Sequence, residues 1–398
     1  MISFSESAKA MRSSEIRRLM RLAADPSIIS FAGGMPANSL FPIDTLDEIW
    51  CDLSRTEKQV AMQYGPTTGF PPLVESLKEY LRQKGLPLDG QELIITTGAQ
   101  QAINLVCKVL LDPGDIVVTE NPCFIGALAA FLSYLARLES APLDEHGINV
   151  TELERVLDAH APKIKMVYVN PCFQNPAGIL YNIERKKALL EMLSGRELCL
   201  LEDDPYSELY FNETDHRLTV PLKAMGKEPV PICYTGSFAK IFGPGLRLGW
   251  LLGPKEIIEK CELAKQSMDA CSSTFTQVIA NDYLRRKGKL QDYLQSVRPV
   301  FARRADIMFR ALQASMPGEV QWTRPKGGFY IWVTMPKALD ATDVFNRAIE
   351  KRAAFVIGSA FDPAGTKNNC FRLAFSHTAE ESIAEGVKII ADAIKHFL

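Results

Sequence analysis

The 398-residue chain lacks any apolar run long enough to cross a bilayer. Its longest, residues 127–136, is interrupted by Ser133 and falls well short of the ~20 residues that a spanning helix needs. Net charge is almost absent: 45 basic side chains face 47 acidic ones, which leaves no electrostatic footprint for nucleic acid or an anionic membrane. The one basic cluster, Arg285-Arg286-Lys287-Gly288-Lys289, reads as a solvated helix end. The nine cysteines are scattered and never spaced C-x-x-C, and the five histidines form no H-E-x-x-H. Neither a disulfide framework nor a metal centre is expected, and reduced thiols point to the cytoplasm. Residues 1–21 carry Lys9, Arg12, Arg17, Arg18 and Arg21 without a continuous apolar stretch, so no secretory signal is expected there. A P-loop is missing, and Gly243-Pro244-Gly245 with Gly249 does not match G-x-G-x-x-G, so nucleotide binding has no support.

What is present is a chain of ordinary globular composition, 47% apolar and 23% charged, with room for two or three domains at about 150 residues each. From about residue 92 short β-branched runs alternate with helical patterns, the grammar of βαβ units around a largely parallel sheet. Leu93–Thr96 reads as a strand, and Gly98 opens a helix whose apolar residues Ala102, Ile103, Val106, Val109 and Leu110 keep a 3.6 period. Further strands are expected at Ile116–Val118, Lys165–Val169, Leu198–Leu201, Ile232–Tyr234 and Leu246–Leu252. Beyond about residue 290 the pattern changes. A long charged helix, Gln291–Ala314, precedes strands at Gly328–Val333 and Cys370–Ala374. The expected fold is α/β: a large three-layer αβα domain over residues 45–288, and a smaller α+β domain built from 1–44 and 289–398.

Open α/β sheets bind ligands beyond the C-terminal ends of their strands, so polar residues there carry the chemistry. Four such ends stand out: Gly98-Ala99-Gln100 at a helix start, where free N–H groups favour a phosphate; Asn170-Pro171 with Asn175-Pro176-Ala177-Gly178; Asp203-Asp204-Pro205-Tyr206; and Ser237-Phe238-Ala239-Lys240 with Arg247 seven residues on. Singly, each has a bland reading: a surface lysine, a helix-capping acid, an arginine in a weak surface pair. Together an amine, a carboxylate, a phenol, an amide and a phosphate cradle suit an aromatic, phosphate-bearing aldehyde held on a lysine.

In this order and spacing the chain resembles the class I/II, fold-type I pyridoxal-phosphate aminotransferases, in particular the branch of α-aminoadipate and kynurenine aminotransferases. The resemblance runs from Phe31-Ala32-Gly33-Gly34-Met35-Pro36 to Phe371-Arg372-Leu373-Ala374-Phe375-Ser376, with Gln63-Tyr64-Gly65-Pro66 between them. It implies a pyridoxal 5'-phosphate enzyme that moves an α-amino group to a 2-oxo acid such as 2-oxoglutarate. Lys240 would be the Schiff-base and proton-shuttling lysine, as burial favours its neutral, nucleophilic form. Asp203 would pair with the pyridine nitrogen, Tyr206 and Asn175 with the phenolic oxygen, and Phe124 would stack on the ring. Ala99, Gln100, Ser237 and Arg247 would hold the phosphate, with Tyr64 reaching it from the partner of a homodimer. Arg372 would take the substrate carboxylate in a two-pronged pair; Asn175, Gly34 and Arg17 would complete the substrate site.

Three departures bear on these expectations. Ala99 and Ala239 stand where relatives often carry hydroxyls, which removes phosphate hydrogen bonds of about 0.5–1.5 kcal/mol each. Phe124 replaces a commoner tyrosine. Ser237–Lys240 also satisfies S-x-x-K, but neither S-D-N nor K-T-G accompanies it. A regulator with a DNA-binding domain ahead of such a fold is not expected, as the motif region starts by residue 31. Another pyridoxal-phosphate reaction, β-elimination or decarboxylation, remains the alternative on the same residues.

Overall fold

The structure, a computed structural model, describes residues 2–10, 25, 27–226 and 230–398. Its centre is an eight-stranded sheet. The strands are β2 (Gln91–Thr96), β3 (Ile116–Asn121), β4 (Arg137–Asp144), β5 (Gly147–Ile148), β6 (Ile164–Val169), β7 (Cys199–Asp203), β8 (Ile232–Ser237) and β9 (Gly249–Pro254), in spatial order β2-β9-β8-β7-β6-β3-β4-β5. The run β8-β7-β6-β3-β4 is parallel. β3, β6, β7 and β8 are buried almost throughout, because helices cover both faces of such a sheet, whereas β4, towards the edge, is mostly half-buried or exposed.

β9 departs from the parallel rule, running antiparallel to both β2 and β8. A parallel return needs a crossover of roughly a dozen residues or more, usually helical. Residues 238–248 offer only a tight loop with a 3-10 turn at Pro244–Leu246. That turn also corrects the expected strand at Leu246–Leu252. Leu246 closes the turn and Arg247 takes a left-handed conformation at φ 53°, so the strand starts at Gly249. The remaining expected strands appear within a few residues of their sequence limits.

The second sheet is antiparallel, β10 (Gln321–Trp322), β11 (Tyr330–Thr334), β14 (Cys370–Ala374) and β13 (Val356–Ile357), in order β10-β11-β14-β13. The helices Lys289–Ser315 and Glu380–Lys395 pack together beside it. Near the other end of the chain, β1 (Ile29–Ser30) pairs in parallel with β12 (Ala353–Ala354), and the Phe31 carbonyl accepts from the Ala374 amide. Residues 29–36 are thereby delivered to the mouth of the second sheet, facing the C-terminal ends of β6, β7 and β8.

Candidate active site

The helix Ala99–Leu110 starts at one corner of the site. Gly98 caps it with φ 80°, a conformation glycine reaches without a side-chain penalty. The first-turn N–H groups of a helix have no intrahelical acceptor, so the Ala99 and Gln100 amides are free donors there. The Gln100 side chain is turned away, donating to the Gly126 carbonyl at 2.8 Å. A Cβ added to Gly98 would lie 3.2 Å from the Arg247 guanidinium, and one on Gly249 would lie 2.8 Å from the Ala99 nitrogen. Two glycines thus let an arginine and a strand approach the helix start closely. The Ser237 hydroxyl, at the end of β8, accepts from the Ala239 amide at 3.1 Å. Amides, hydroxyl and guanidinium together make an anion cradle.

Asp203 ends β7. One of its carboxylate oxygens, Oδ2, accepts from the Tyr168 hydroxyl at 2.7 Å; the other, Oδ1, is buried with no partner. Burial pushes this carboxyl up to about 7, the Tyr168 bond pulling it down and Asp204 pushing it further up. A protonated ring nitrogen would supply both the missing donor and the missing charge. Asp204 points elsewhere, accepting from the Tyr234 hydroxyl at 2.8 Å and the Ser207 amide at 3.0 Å. Successive residues of an extended chain face opposite ways, and so the acid pair divides its labour.

Lys240 lies between these features. Its amine donates to the Gly34 carbonyl at 2.8 Å. Burial, joined by the positive fields of Arg372 and Arg247, lowers it to about 8, which brings the neutral, nucleophilic amine within reach near neutral pH.

Arg372 enters from β14 in the second sheet. Its guanidinium donates to Asn175 Oδ1 at 2.9 Å and to the Ala32 carbonyl at 2.6 Å, while its Nε is buried without a partner. The rings of Tyr330 and Phe361 lie 4.4 Å and 4.9 Å from its carbon. Its hydrogen-bond partners are neutral, so the cation is oriented but not neutralised, a standing invitation to a carboxylate.

One cavity of about 290 Å³ is lined by Gly34, Ala99, Gln100, Phe124, Asn175, Asp203, Tyr206, Ser237, Lys240, Arg247 and Arg372. Tyr64 is not among its walls and is 87% exposed. Arg17 falls outside the described residues. The cavity also takes in Asn170, which stood among the polar strand ends but without a role of its own, and Tyr330, expected only as a strand residue. Asn170 donates to the Asp203 carbonyl at 2.5 Å and accepts from the Asn175 amide at 2.8 Å. The signal for Asn170 lay in its place just past β6; Tyr330 and Tyr168, inside strands, offered none.

Residues 37–390 match the family model for aminotransferase class I and II. The chain is 39% identical to the aromatic-amino-acid aminotransferase 1 of Thermococcus litoralis, covering 98% of this chain and 94% of that one. It is 38% identical to the 2-aminoadipate transaminase of Thermus thermophilus, covering 99% and 97%. The crystal structure of Pyrococcus horikoshii kynurenine aminotransferase superposes with a TM-score of 0.94 at 41% identity, covering 99% and 97%. A lysine, an orphaned acid, an anion cradle and an uncompensated arginine in one cavity, with relatives that span the full fold, identify the chain as a member of the class I and II aminotransferase family, a pyridoxal-phosphate-dependent transaminase acting on amino and 2-oxo acids.

Proposed function

We propose that this cavity transfers an α-amino group from a 2-aminoadipate, aromatic or branched-chain donor to a 2-oxo acid such as 2-oxoglutarate, in two half-reactions. The observation that carries the reading is the placement of Lys240, a buried amine lowered to about 8, in one cavity with the unpartnered Asp203 Oδ1. Pyridoxal 5'-phosphate, when bound, supplies an electron sink for the pair released at the substrate α-carbon and a carrier for the amino group.

The residues divide the remaining work. The Ala99 and Gln100 amides, the Ser237 hydroxyl and the Arg247 guanidinium hold the phosphate. Asp203 holds a proton on the ring nitrogen, and Phe124 covers the ring. Tyr206 and Asn175 bond the ring's phenolic oxygen. Arg372 fixes the substrate carboxylate in a two-pronged pair, with Asn175 and the Gly34 main chain completing that wall. Lys240 Nζ would take the proton from the substrate α-carbon and deliver it to the cofactor carbon bonded to the transferred nitrogen. A neutral amine suits that task because its basicity lies near working pH.

The same reading includes a homodimer in which Tyr64 of one subunit completes the phosphate site of the other. Tyr64 and the neighbouring Met62, 87% and 78% exposed, fit an interface better than open solvent. Arg17 would contact the substrate side chain. The division into a unit of residues 45–288 and a unit of 1–44 with 289–398 is supported by the strand pairing: the eight-stranded sheet lies wholly within 91–254, while the four-stranded sheet and the β1–β12 pair use only strands from 29–30 and 321–374. Cytoplasmic residence is supported by nine cysteines without a disulfide among them. Among the described residues no helix is long and apolar enough to cross a membrane.

A panel of amino acids tests the reading. Purified protein loaded with pyridoxal phosphate is mixed with each amino acid and no oxo-acid acceptor. Stoichiometric formation of pyridoxamine phosphate is expected, and a Lys240→Ala variant should form none on the same timescale. Sustained release of ammonia or carbon dioxide would instead mark elimination or decarboxylation.

A further inference from the structure

We infer that the Tyr330 hydroxyl is a positioning group for the reaction, acting through Tyr206: it holds and polarises the Tyr206 hydroxyl, and so sets how strongly Tyr206 donates to the cofactor ring. The inference rests on the placement of Tyr206 proposed above.

Tyr330 lies on β11 in the second sheet and Tyr206 just past β7 in the first, yet their hydroxyl oxygens are 3.0 Å apart. Both residues are buried, 2% and 4% exposed. The ring of Tyr330 already has structural work. It covers the Arg372 guanidinium at 4.4 Å and meets the Tyr206 ring edge-on at 5.8 Å. A phenylalanine would do both, so the hydroxyl needs a separate reason. It is a polar atom brought into a slot so confined that any side chain on Gly34 would overlap it.

Proton counting supplies the reason. Two hydroxyls in contact have one proton each, and one of them must donate to the other. Burial first, then Tyr330, pushes the Tyr206 phenol well above its ordinary range, so it keeps its proton. When Tyr206 donates that proton to an acceptor in the cavity, its own oxygen is free to accept, and Tyr330 is the neighbour with a proton to give. Donors linked in series strengthen one another. The charged and titratable groups facing the pair are Lys240 from the loop after β8, Asp203 at the end of β7 and Arg372 on β14. Removing a neutral hydroxyl leaves all three in place.

The expected effect has a sign. A weaker donor at the ring's phenolic oxygen leaves more negative charge there, which holds a proton on the neighbouring Lys240 nitrogen up to higher pH. The experiment loads wild type, Tyr206→Phe, Tyr330→Phe and the double variant with pyridoxal phosphate and titrates the visible absorbance with pH. Tyr206→Phe should raise the midpoint. Tyr330→Phe should raise it less, by on the order of half a pH unit, and should add nothing in the Tyr206→Phe background. An unchanged midpoint in Tyr330→Phe, or the same shift in both backgrounds, overturns the inference while leaving the placement of Tyr206 intact. A midpoint unmoved by Tyr206→Phe removes that placement, and the inference with it.

Discussion

The Tyr168 hydroxyl, on β6, donates to Oδ2 of Asp203, on β7, at 2.7 Å, leaving Oδ1 of the same carboxylate unpartnered. One hydrogen bond from a neutral hydroxyl therefore decides which oxygen of a buried acid is left for a ligand. It also opposes the burial that drives the acid towards its neutral form.

Tyr168→Phe should weaken cofactor binding. The substitution keeps the ring but strips Asp203 of its donor, and a hydrogen bond to a charged group is worth about 1.5–3 kcal/mol. The Kd for pyridoxal phosphate should rise about tenfold or more, read by absorbance titration of the apo protein. A Kd within twofold of wild type would show that Asp203 needs no second anchor.

Arg372→Lys should damage substrate binding and spare cofactor binding. The guanidinium bonds Asn175 and the Ala32 carbonyl between two aromatic rings, a planar arrangement that ammonium cannot reproduce. We expect kcat/KM for the amino donor to fall about 100-fold or more, corresponding to about 2.7 kcal/mol, with the cofactor Kd changed less than about threefold. Equal losses in both would place Arg372 in the cofactor site.

Cofactor capture should depend on pH through Lys240. In the folded chain this amine titrates near 8, against an ordinary value of 10.5, chiefly because burial disfavours its charged form, with Arg372 and Arg247 adding to the effect. Between those two values the unfolded chain binds the extra proton, so Lys240 makes the apo protein more stable as pH rises through that window. Capture needs the neutral amine. Its rate should therefore climb from about pH 7 and level off above about pH 9, as followed by stopped-flow absorbance. A flat profile would contradict a lowered Lys240.

Gly249→Ala should cost both stability and cofactor affinity. The new Cβ would lie 2.7 Å from the Gly236 carbonyl oxygen and 2.8 Å from the Ala99 nitrogen. Both are backbone atoms that cannot rotate away, so β9 must shift from β8 and from the helix start. We expect about 1–3 kcal/mol of destabilisation in urea unfolding of the apo protein, together with a raised cofactor Kd. Alanine tolerated in both assays would mean that the cradle is looser than its geometry.

The strands and their polar ends were legible because parallel strands write their chemistry just past their C-termini. Asp203, Ser237 and Lys240 follow apolar runs that no other reading explains as well. Asp203 and Asp204 are adjacent in the chain, and only the structure parts them: one faces the cavity, the other faces Tyr234. Tyr168 and Tyr330 were illegible for the converse reason. Each lies within a buried strand, where an aromatic residue is ordinary core, and each acquires its role from a partner 35 or 124 positions away.

Periodicity, composition and ordered motifs are local properties, and they suffice for the α/β class, the family resemblance and the kind of cofactor, because strand ends, helix starts and loop lysines are placed by nearby residues. Direction and pairing are not local. The reversal of β9, the delivery of residues 29–36 to the second sheet, and the clamp on Arg372 by Asn175, Tyr330 and Phe361 arise only when distant segments pack. Tertiary structure decides these because burial energy is summed over the whole chain, and no short window of sequence contains both partners of such a contact.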